Sequence, residues 1–567
     1  MSASWPLFPF PGMALVAGGL LLPLVPRGLR GPVMLVLPVL GLLQLVALPA
    51  GTSLSLDVLG LTLEVVRADG LSLIFGYVFH LAAFLGIIFS LRIRDLGQQV
   101  AALVYAGSAI GAVFAGDLLT LFLYWELTAV SSVFLIWAAR EEGAFRAGLR
   151  YLMVQILSGM LLLVGVVLHY QSTNSLAFGH LGLESPGGAL IFLAFGIKCA
   201  FPLLHTWLPD AYPRATVTGA VFLSAFTTKL AVYALARGFA GTEFLIWVGA
   251  LMAVLPVFYA VIEDDLRRVL SYSLIVQLGF MVVGVGVGTE LALNGTAAHA
   301  FGHVLYKALL FMAIGAVLHQ TGTARASELG GLYRSMPLTA WFCMVGAASI
   351  SAVPLFSGFV SKAFITSATA QAGHHLAWTM LLFASAGALL YVGIKVPYLA
   401  FFGRDSGVRV AEAPRSMLVA MGLGAALSVV IGVRPQLLYG ILPFPAGYNP
   451  YTPGHVLGQL QLLLFSALAF VILYRRGWYP RMVPSINLDF DWIWRRGLPR
   501  AWQFLARFAA PAWHRGRSAS GTILRRALDL LQCHFGPGSR LARIWPTGSM
   551  VLWVVVLLAL SLLVSYF

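Results

Sequence analysis

Long apolar runs separated by short polar stretches dominate the sequence. Runs of roughly 20 residues, the length that an α-helix needs to cross a bilayer, recur about sixteen times. The predicted spans are 5-26, 32-50, 71-91, 97-116, 118-138, 150-170, 189-208, 216-239, 244-262, 268-287, 295-319, 339-370, 376-402, 416-436, 457-474 and 549-567. The pattern predicts an all-α polytopic membrane protein with about 14 to 16 transmembrane helices.

Composition agrees with a membrane protein and excludes an ordinary soluble domain. Hydrophobic residues make up 59% of the chain, charged residues 10%, and the mean hydropathy is +0.88. The net charge of +15 raises the alternative of a nucleic-acid partner. The arginines, however, lie in loops between apolar runs, where membrane orientation explains them better.

Arginine placement also predicts the orientation of the chain. Loops after odd-numbered spans are rich in arginine, whereas loops after even-numbered spans offer only Arg67 and Arg237. Because cytoplasmic loops concentrate basic residues, we expect the odd-numbered loops in the cytoplasm and both termini on the opposite side. The N-terminal run lacks a charged leader, so it is interpreted as a first span rather than a signal peptide.

Charged residues inside the apolar runs are the first candidates for chemistry. Glu126 is the only charge in span 118-138, and an acid at the centre of a membrane helix costs about 2.5–3.5 kcal/mol. Lys198 lies in the middle of span 189-208, four residues before Pro202, and the proline predicts a broken helix. Broken helices with a buried charge are typical of ion paths; snorkelling of Lys198 to an interface is the alternative. Lys229 lies in an equally apolar setting in span 216-239.

Span 295-319 carries three titratable residues on one helical face. His299, His303 and Lys307 follow one another at intervals of four residues, which stacks them along a single stripe. Such a stripe inside the membrane favours a proton relay. A metal site at the two histidines is the alternative, but no carboxylate shares the span and Lys307 would repel a cation.

Span 339-370 repeats the pattern of a broken helix with a lysine. Pro354 and Gly358 are expected to interrupt the helix, and Lys362 follows the interruption. Lys395 lies in span 376-402, again beside a proline, with snorkelling as the alternative. Two interrupted helices five spans apart predict inverted five-helix repeats.

The repeats divide the chain into six regions. We expect N-terminal helices at 1-96, a first repeat at 97-239, a second, inverted repeat at 244-402, C-terminal helices at 403-474, a basic amphipathic segment at 475-548 and a final span at 549-567. The basic segment combines thirteen arginines between Arg475 and Arg543 with five tryptophans. This pattern suits a cytoplasmic helix at the headgroup layer that docks another protein of a complex or anionic lipid; a solvated loop is the alternative.

Five ordered motifs carry a resemblance to a known family. They are DLLTLFLYWE, GIKCAFPLLHTWLPDAYPRAT, EDDLRRVLSYSLIVQLGF, HAFGHVLYKALLF and SGFVSK. The chain resembles the proton-conducting, antiporter-like subunits of respiratory complex I and of Mrp-type cation/proton antiporters over roughly residues 70 to 435. Within that group it looks most similar to the D-type subunits of Mrp antiporters. The tail from Arg475 departs from the usual fourteen-span pattern.

The resemblance implies residue roles and a function. It implies a row of residues that translocates protons. The row consists of the acid Glu126 in span 118-138, the broken-helix lysines Lys198 and Lys362, Lys229 in span 216-239, the connecting histidines His299 and His303, and the base Lys307 beyond them. Lys395 is a weaker candidate. The hypothesis is that protons approach near Lys198 and Lys229, cross at the histidines and leave past Lys362, with Glu126 modulating the protonation of Lys198.

The implied assembly is a multi-subunit Na⁺ or K⁺/proton antiporter in the bacterial cytoplasmic membrane, whose partners are the other membrane subunits and the bilayer. Alternatives are a subunit of a redox-driven pump related to complex I, a proton-driven inorganic-carbon uptake complex, or a scaffold without transport. No cofactor or metal site is predicted, because Cys199, Cys343 and Cys533 lie far apart without metal-ligand spacing.

Overall fold

The computed structural model describes residues 10–480, 482–483, 489–507, 526, 529–530 and 547–566. The chain divides into two units, Met1–Asp489 and Phe490–Phe567. In the first unit the helices are α1 Met13–Leu21, α2 Arg30–Ala47, α3 Gly70–Ser90, α4 Leu96–Phe114, α5 Leu118–Trp137, α6 Glu142–Thr173, α7 Pro186–Cys199, α8 Trp207–Ala211, α9 Val217–Ala225, α10 Thr227–Gly238, α11 Phe244–Ile262, α12 Leu266–Val287, α13 Glu290–Thr321, α14 Pro337–Ile350, α15 Ser357–Gln371, α16 His375–Ala388, α17 Lys395–Pro397, α18 Arg415–Val433, α19 Gln436–Tyr439 and α20 Pro453–Arg475.

Short 3₁₀ and π-helical stretches complete the helical structure. The 3₁₀ turns are Leu22–Leu24, Tyr212–Arg214 and Leu332–Arg334, and the π-helical stretches of this unit are Leu389–Ile394 and Tyr398–Phe402. The π-helical stretches flank α17, so residues 375–402 form one continuous apolar helical segment.

The predicted fold class is confirmed. Among the described residues, twelve helices are long and apolar enough to cross a membrane, and four shorter apolar helices accompany them. Each predicted span overlaps one of these helices. The structure makes α6 and α13 longer than predicted, at 32 residues each. The helices α12 and α13 are almost wholly buried, so the centre of the unit lies around them.

The two predicted helix breaks share one backbone conformation. After α7, Ala200 and Leu203 have φ of 63° and 71°, and after α14, Ala352 and Leu355 have φ of 56° and 74°. Each break therefore has the sequence Ala-x-Pro-Leu. Its alanine and its leucine both lie in the left-handed region of backbone conformation, which L residues rarely adopt. The repetition of so costly a conformation supports an internal repeat.

One detail of the second break differs from the prediction. Gly358 does not interrupt the helix but lies in the first turn of α15. Gly358 instead allows α15 to approach α14 closely, because a Cβ atom at this position would lie 1.8 Å from the carbonyl oxygen of Ser349 in α14. The glycine therefore lets the two halves of the broken helix meet.

A β-hairpin between α2 and α3 was not predicted. Its strands, β1 Ser53–Val58 and β2 Leu61–Arg67, pair antiparallel. The two-residue turn consists of Leu59 and Gly60, both with positive φ, which is the geometry of a tight hairpin turn. The hairpin continues into Asp69, whose carboxylate caps α3 and receives a hydrogen bond from Arg237 Nη2 of α10. The hairpin end is therefore tied to α10.

The second unit is described only in part. Residues 491–507 are helical, including a π-helical stretch at Ile493–Gly497, and α21 spans Thr547–Tyr566. Arg495 Nε pairs with the Asp491 carboxylate at 2.9 Å, one turn earlier. Most of the predicted basic segment after residue 507 lies outside the described residues.

We predict that Gly358→Ala destabilises the protein. The added methyl group would collide with the Ser349 carbonyl, and overpacking of this kind costs about 1–3 kcal/mol. The measurement is the apparent melting temperature in detergent. Gly458→Ala on α20 is the control, because nothing lies within 4 Å of the built Cβ, and its melting temperature should stay the same or rise slightly. An unchanged melting temperature for Gly358→Ala would contradict the close approach.

Candidate functional site

The chain contains five lysines, and all five are buried inside the first unit. The positive charges exposed in its loops come from arginine instead. The lysines are Lys198, Lys229, Lys307, Lys362 and Lys395. Arginine keeps its proton under all ordinary conditions, whereas a lysine in a protein interior can release one. The exposed arginines therefore supply permanent charges that orient the chain in the membrane, whereas the buried lysines supply groups that can gain and lose protons.

Lys198 points from the last turn of α7 towards α5. Its Nζ donates to the carbonyl oxygen of Trp125 at 2.6 Å and to Thr128 Oγ1 at 2.9 Å. The same Nζ lies 4.2 Å from the centre of the Trp125 ring, a cation–π geometry. The amine is therefore held by neutral groups, and it does not snorkel to an interface, because it is fully buried.

Glu126 lies next to this contact without joining it. Lys198 binds the carbonyl of the residue before Glu126, and no ion pair within 4.0 Å joins the two charged side chains. The Glu126 Oε1 atom is buried against α6 without a hydrogen-bond partner. It occupies the space left by Gly159, where a Cβ atom would lie 1.3 Å from it. The two residues are near enough to influence each other electrostatically.

Lys229 lies in the first turn of α10, just after the gap between α9 and α10. Its Nζ donates to the carbonyl oxygen of Ser224 at 2.5 Å and lies 3.3 Å from Thr228 Oγ1. The Ser224 carbonyl belongs to the last turn of α9, whose terminal carbonyls lack intrahelical partners. The lysine therefore satisfies a helix end that would otherwise be buried without a donor.

The three residues of α13 form the predicted stripe. The rings of His299 and His303 lie 6.0 Å apart and nearly parallel, at 16°. His299 contacts Ser361 Oγ at 2.9 Å and Gln277 Oε1 at 3.2 Å. Both nitrogens of His303 are buried without a protein partner. The stripe is thus polar, enclosed and only partly satisfied by protein atoms.

Lysines on three helices act on or belong to this stripe. Lys229 of α10 and Lys362 of α15 both act electrostatically on His299. Lys307 donates to Ser273 Oγ of α12. Lys362 Nζ donates to the carbonyl oxygen of Ile350, the last residue of α14, at 2.6 Å. His299 is therefore within electrostatic reach of lysines on two other helices.

Lys395 occupies a different position. Its Nζ donates to three carbonyl oxygens at the end of α11, those of Ala260 at 3.0 Å, Val261 at 2.8 Å and Glu263 at 2.6 Å. The side chain is fully buried, so it does not snorkel. The three carbonyl contacts anchor Lys395 to the end of α11.

Several polar partners of the row were missed because they carry no charge. Thr128, Gln277, Ser273 and Ser361 each contact a predicted residue and each is fully buried. An uncharged serine, threonine or glutamine does not stand out in an apolar run as a charge does, so the search for charges did not indicate these residues.

A buried carboxylate beyond the last repeat was also missed. Asp489, at the end of the first unit, lies with Oδ2 3.0 Å from His205 Nε2 and 3.2 Å from the Tyr272 hydroxyl. His205 belongs to the break after α7. The carboxylate therefore reaches the loop that follows Lys198.

Comparison with known proteins finds a family model and curated relatives that match parts of the chain. Residues 115–388 match the family model described as NADH:quinone oxidoreductase/Mrp antiporter, transmembrane. Hydrogenase-4 component B of Escherichia coli is 27% identical over 422 residues, 66% of this chain and 63% of that protein. The D-type subunit of the Na⁺/H⁺ antiporter of Alkalihalophilus pseudofirmus is 33% identical over 317 residues, 52% of this chain and 64% of that protein. The chain thus spans less than two thirds of either relative.

Solved structures share the fold. One chain of the Mrp complex from Dietzia sp. DQ12-45-1b is similar with a TM-score of 0.70 and 22% identity, covering 80% of this chain and 98% of that chain. One chain of the membrane-bound sulfane sulfur reductase, an archaeal respiratory membrane complex, is similar with a TM-score of 0.71 and 23% identity, covering 98% and 100%.

We predict that Lys395→Met and Lys362→Met have different effects. Lys395→Met leaves three buried carbonyls without their donor, so stability should fall by about 1–3 kcal/mol, while transport per folded complex persists. Lys362→Met removes one such contact, so stability should fall less, but transport should be lost. The measurements are melting temperature and proton transport normalised to folded protein. Lost transport with normal stability in Lys395→Met would instead place it in the row.

Proposed function

We propose that the chain translocates protons within a hetero-oligomeric membrane complex. The match of residues 115–388 to the family model described as NADH:quinone oxidoreductase/Mrp antiporter, transmembrane, supports this proposal. In the finer form of the proposal, this complex is a monovalent cation/proton antiporter of the Mrp type, and the chain serves as its D-type subunit. The exchanged cation is Na⁺ or K⁺. The chain acts as a transporter subunit of the bacterial cytoplasmic membrane.

The burial of every lysine is the observation that carries the proposal. Burying a charged amine in a protein interior is costly, and membrane proteins retain such groups where they serve ion movement. Lys198, Lys229 and Lys362 are each held by neutral oxygens rather than by a carboxylate within ion-pair distance. An amine held in this way keeps hydrogen-bond partners in both protonation states.

The proposed path follows the row from one repeat to the other. The first half-channel lies in residues 97–239 and delivers protons to Lys198 and Lys229. The second lies in 244–402 and releases them past Lys362. Between them, His299 and His303 exchange protons along α13. When Glu126 approaches Lys198, it favours the protonated form of the lysine. When Glu126 withdraws, Lys198 releases its proton.

A second candidate function is a proton-pumping subunit of a redox-driven complex. It is supported by the similarity to hydrogenase-4 component B and by the nearly full-length match to a chain of the sulfane sulfur reductase. The proteins that co-purify with the chain discriminate these two functions from each other and from a role in inorganic-carbon uptake. Small hydrophobic antiporter subunits favour the first, cluster-binding subunits favour the second, and a zinc-containing soluble partner favours carbon uptake.

We predict that Lys198→Ala and Lys198→Arg both abolish proton transport. Alanine removes the proton carrier, and arginine keeps the charge but does not release its proton. The measurement is proton uptake into vesicles that contain the intact complex, with assembly checked by co-purification. Arg146→Ala, which removes an exposed positive charge, is the control and should transport normally. Undiminished transport in Lys198→Arg would contradict the proposal.

A further inference from the structure

The connection between α18 and α20, residues 434–452, contacts the second broken helix, and we call it the strap. Asn294 of α13 makes two hydrogen bonds with the backbone of Phe444 in the strap, at 2.9 Å and 3.1 Å. The Tyr451 hydroxyl accepts a hydrogen bond at 3.2 Å from the backbone N–H of Leu355, in the break itself. The strap is therefore fixed both to α13 and to the break between α14 and α15.

Two tyrosines of the strap bind the half-helix α15. The Tyr439 hydroxyl donates to the carbonyl oxygen of Val360 at 3.0 Å, and the Tyr448 hydroxyl donates to the carbonyl oxygen of Ala363 at 3.1 Å. Lys362 lies between these two α15 residues in the sequence. The strap therefore holds the helical turn that carries the Lys362 amine.

A histidine from the first turn of α20 joins this contact. His455 Nδ1 lies 3.1 Å from the Tyr448 hydroxyl, and His455 Nε2 lies 3.1 Å from Ser367 Oγ of α15. Ser367 Oγ itself lies 2.9 Å from the Tyr448 hydroxyl. With the bond from Tyr448 to the Ala363 carbonyl, four hydrogen-bonded contacts join α20, the strap and α15. We call His455, Ser367 and Tyr448 the latch.

The number of hydrogens available to these four contacts depends on the charge of His455. Each contact needs one hydrogen, and the Ala363 carbonyl supplies none. Tyr448, Ser367 and a neutral imidazole supply one each, whereas a protonated imidazole supplies two. The protonated ring then donates to both hydroxyls, Ser367 donates to Tyr448, and Tyr448 donates to Ala363. All four contacts are therefore made only when His455 is protonated, and the count is the same for either orientation of the ring.

The surroundings of the latch let its proton exchange with water. All three latch residues are half-buried, and Tyr448 borders a cavity of about 620 Å³ beside the strap. The imidazole contacts two hydroxyls. The other titratable or charged residues of the strap, α15, α16 and α20 are Arg434, Tyr439, Tyr451, Lys362, His375, Tyr474 and Arg475. These elements carry no acidic residue, so no acid on them holds the ring in its charged form.

We propose that the latch is operated by protons: protonated His455 holds the half-helix α15, and with it the Lys362 amine, in place, and loss of the proton loosens it. The latch residues position Lys362 and do not carry protons along the row. The effect of the latch on transport rests on the proposed function. The hold on α15 is fully present below the pH range in which histidine titrates and is lost as pH rises through that range.

Hydrogen–deuterium exchange of α15 in the intact complex tests the latch without relying on transport. After correction for the intrinsic effect of pH, exchange should be about five- to tenfold faster at about pH 8 than at about pH 5.5, the effect of one lost hydrogen bond. His455→Gln gains no proton in this range and should show the faster exchange at both values. Thr369→Val is the matched control on α15, because its hydroxyl donates to the Ile365 carbonyl of its own helix at 2.7 Å, and it should keep the wild-type pH dependence.

Two further variants remove latch contacts directly. Tyr448→Phe keeps the ring, whose centre lies 4.5 Å from that of Phe364, but removes the hydroxyl shared by three of the four contacts. Ser367→Ala removes the other hydroxyl. Both variants should exchange fast at either pH. Melting temperatures show whether faster exchange reflects a loosened α15 or general unfolding, and fast exchange throughout the chain would overturn the latch.

Proton transport in vesicles then connects the latch to the proposed function. The ratio of the wild-type rate to the His455→Gln rate should be greatest at low pH and approach one as pH rises. A ratio that stays constant with pH overturns the role in transport. The same pH dependence of α15 exchange in wild type and His455→Gln overturns the latch itself, whatever the transport result. Normal transport in Lys198→Ala overturns the proposed function and leaves the exchange result standing.

Discussion

Buried lysines must find hydrogen-bond acceptors away from water, and for three of the five a helix end supplies them. Lys229 binds a carbonyl in the last turn of α9, Lys362 binds the last residue of α14, and Lys395 binds three carbonyls at the end of α11. A helix end in a membrane protein leaves carbonyls that lipid cannot satisfy, and it carries partial negative charge. The helix breaks and the lysines therefore stabilise one another, and the rest of the unit is arranged around these contacts.

Neutral acceptors also suit an amine that changes its protonation state. In a close ion pair, loss of the proton would leave a carboxylate buried without its partner, which is strongly unfavourable. Lys198 instead contacts a carbonyl and a hydroxyl, and a neutral amine still has N–H groups for both. The enclosed but incompletely satisfied His303 fits the same requirement, because a group that exchanges protons needs a nitrogen open to a transient partner.

The sequence predicts the helices well, because hydropathy fixes their length. It also points to the buried lysines, because a charge in an apolar run is rare. It predicts less about contacts between helices. The rotation of α5 against α7 decides whether Lys198 meets Glu126 or the carbonyl before it, and no local pattern records that rotation. The role of Lys395 depends on where α11 ends, and the β-hairpin at residues 53–67 is too short to produce a distinct signal.

The position of Glu126 is set by α6 more than by Lys198. Its carboxylate oxygen fills the space that Gly159 leaves, while the neighbouring Trp125 donates from Nε1 to Ser158 Oγ at 3.0 Å, again on α6. The Trp125 ring in turn lies against the Lys198 amine. A shift of α6 would therefore move the acid and the aromatic ring together, changing both influences on the lysine at once. Because cores rearrange between discrete arrangements rather than deforming smoothly, this contact is suited to switch the charge of Lys198 rather than to adjust it gradually.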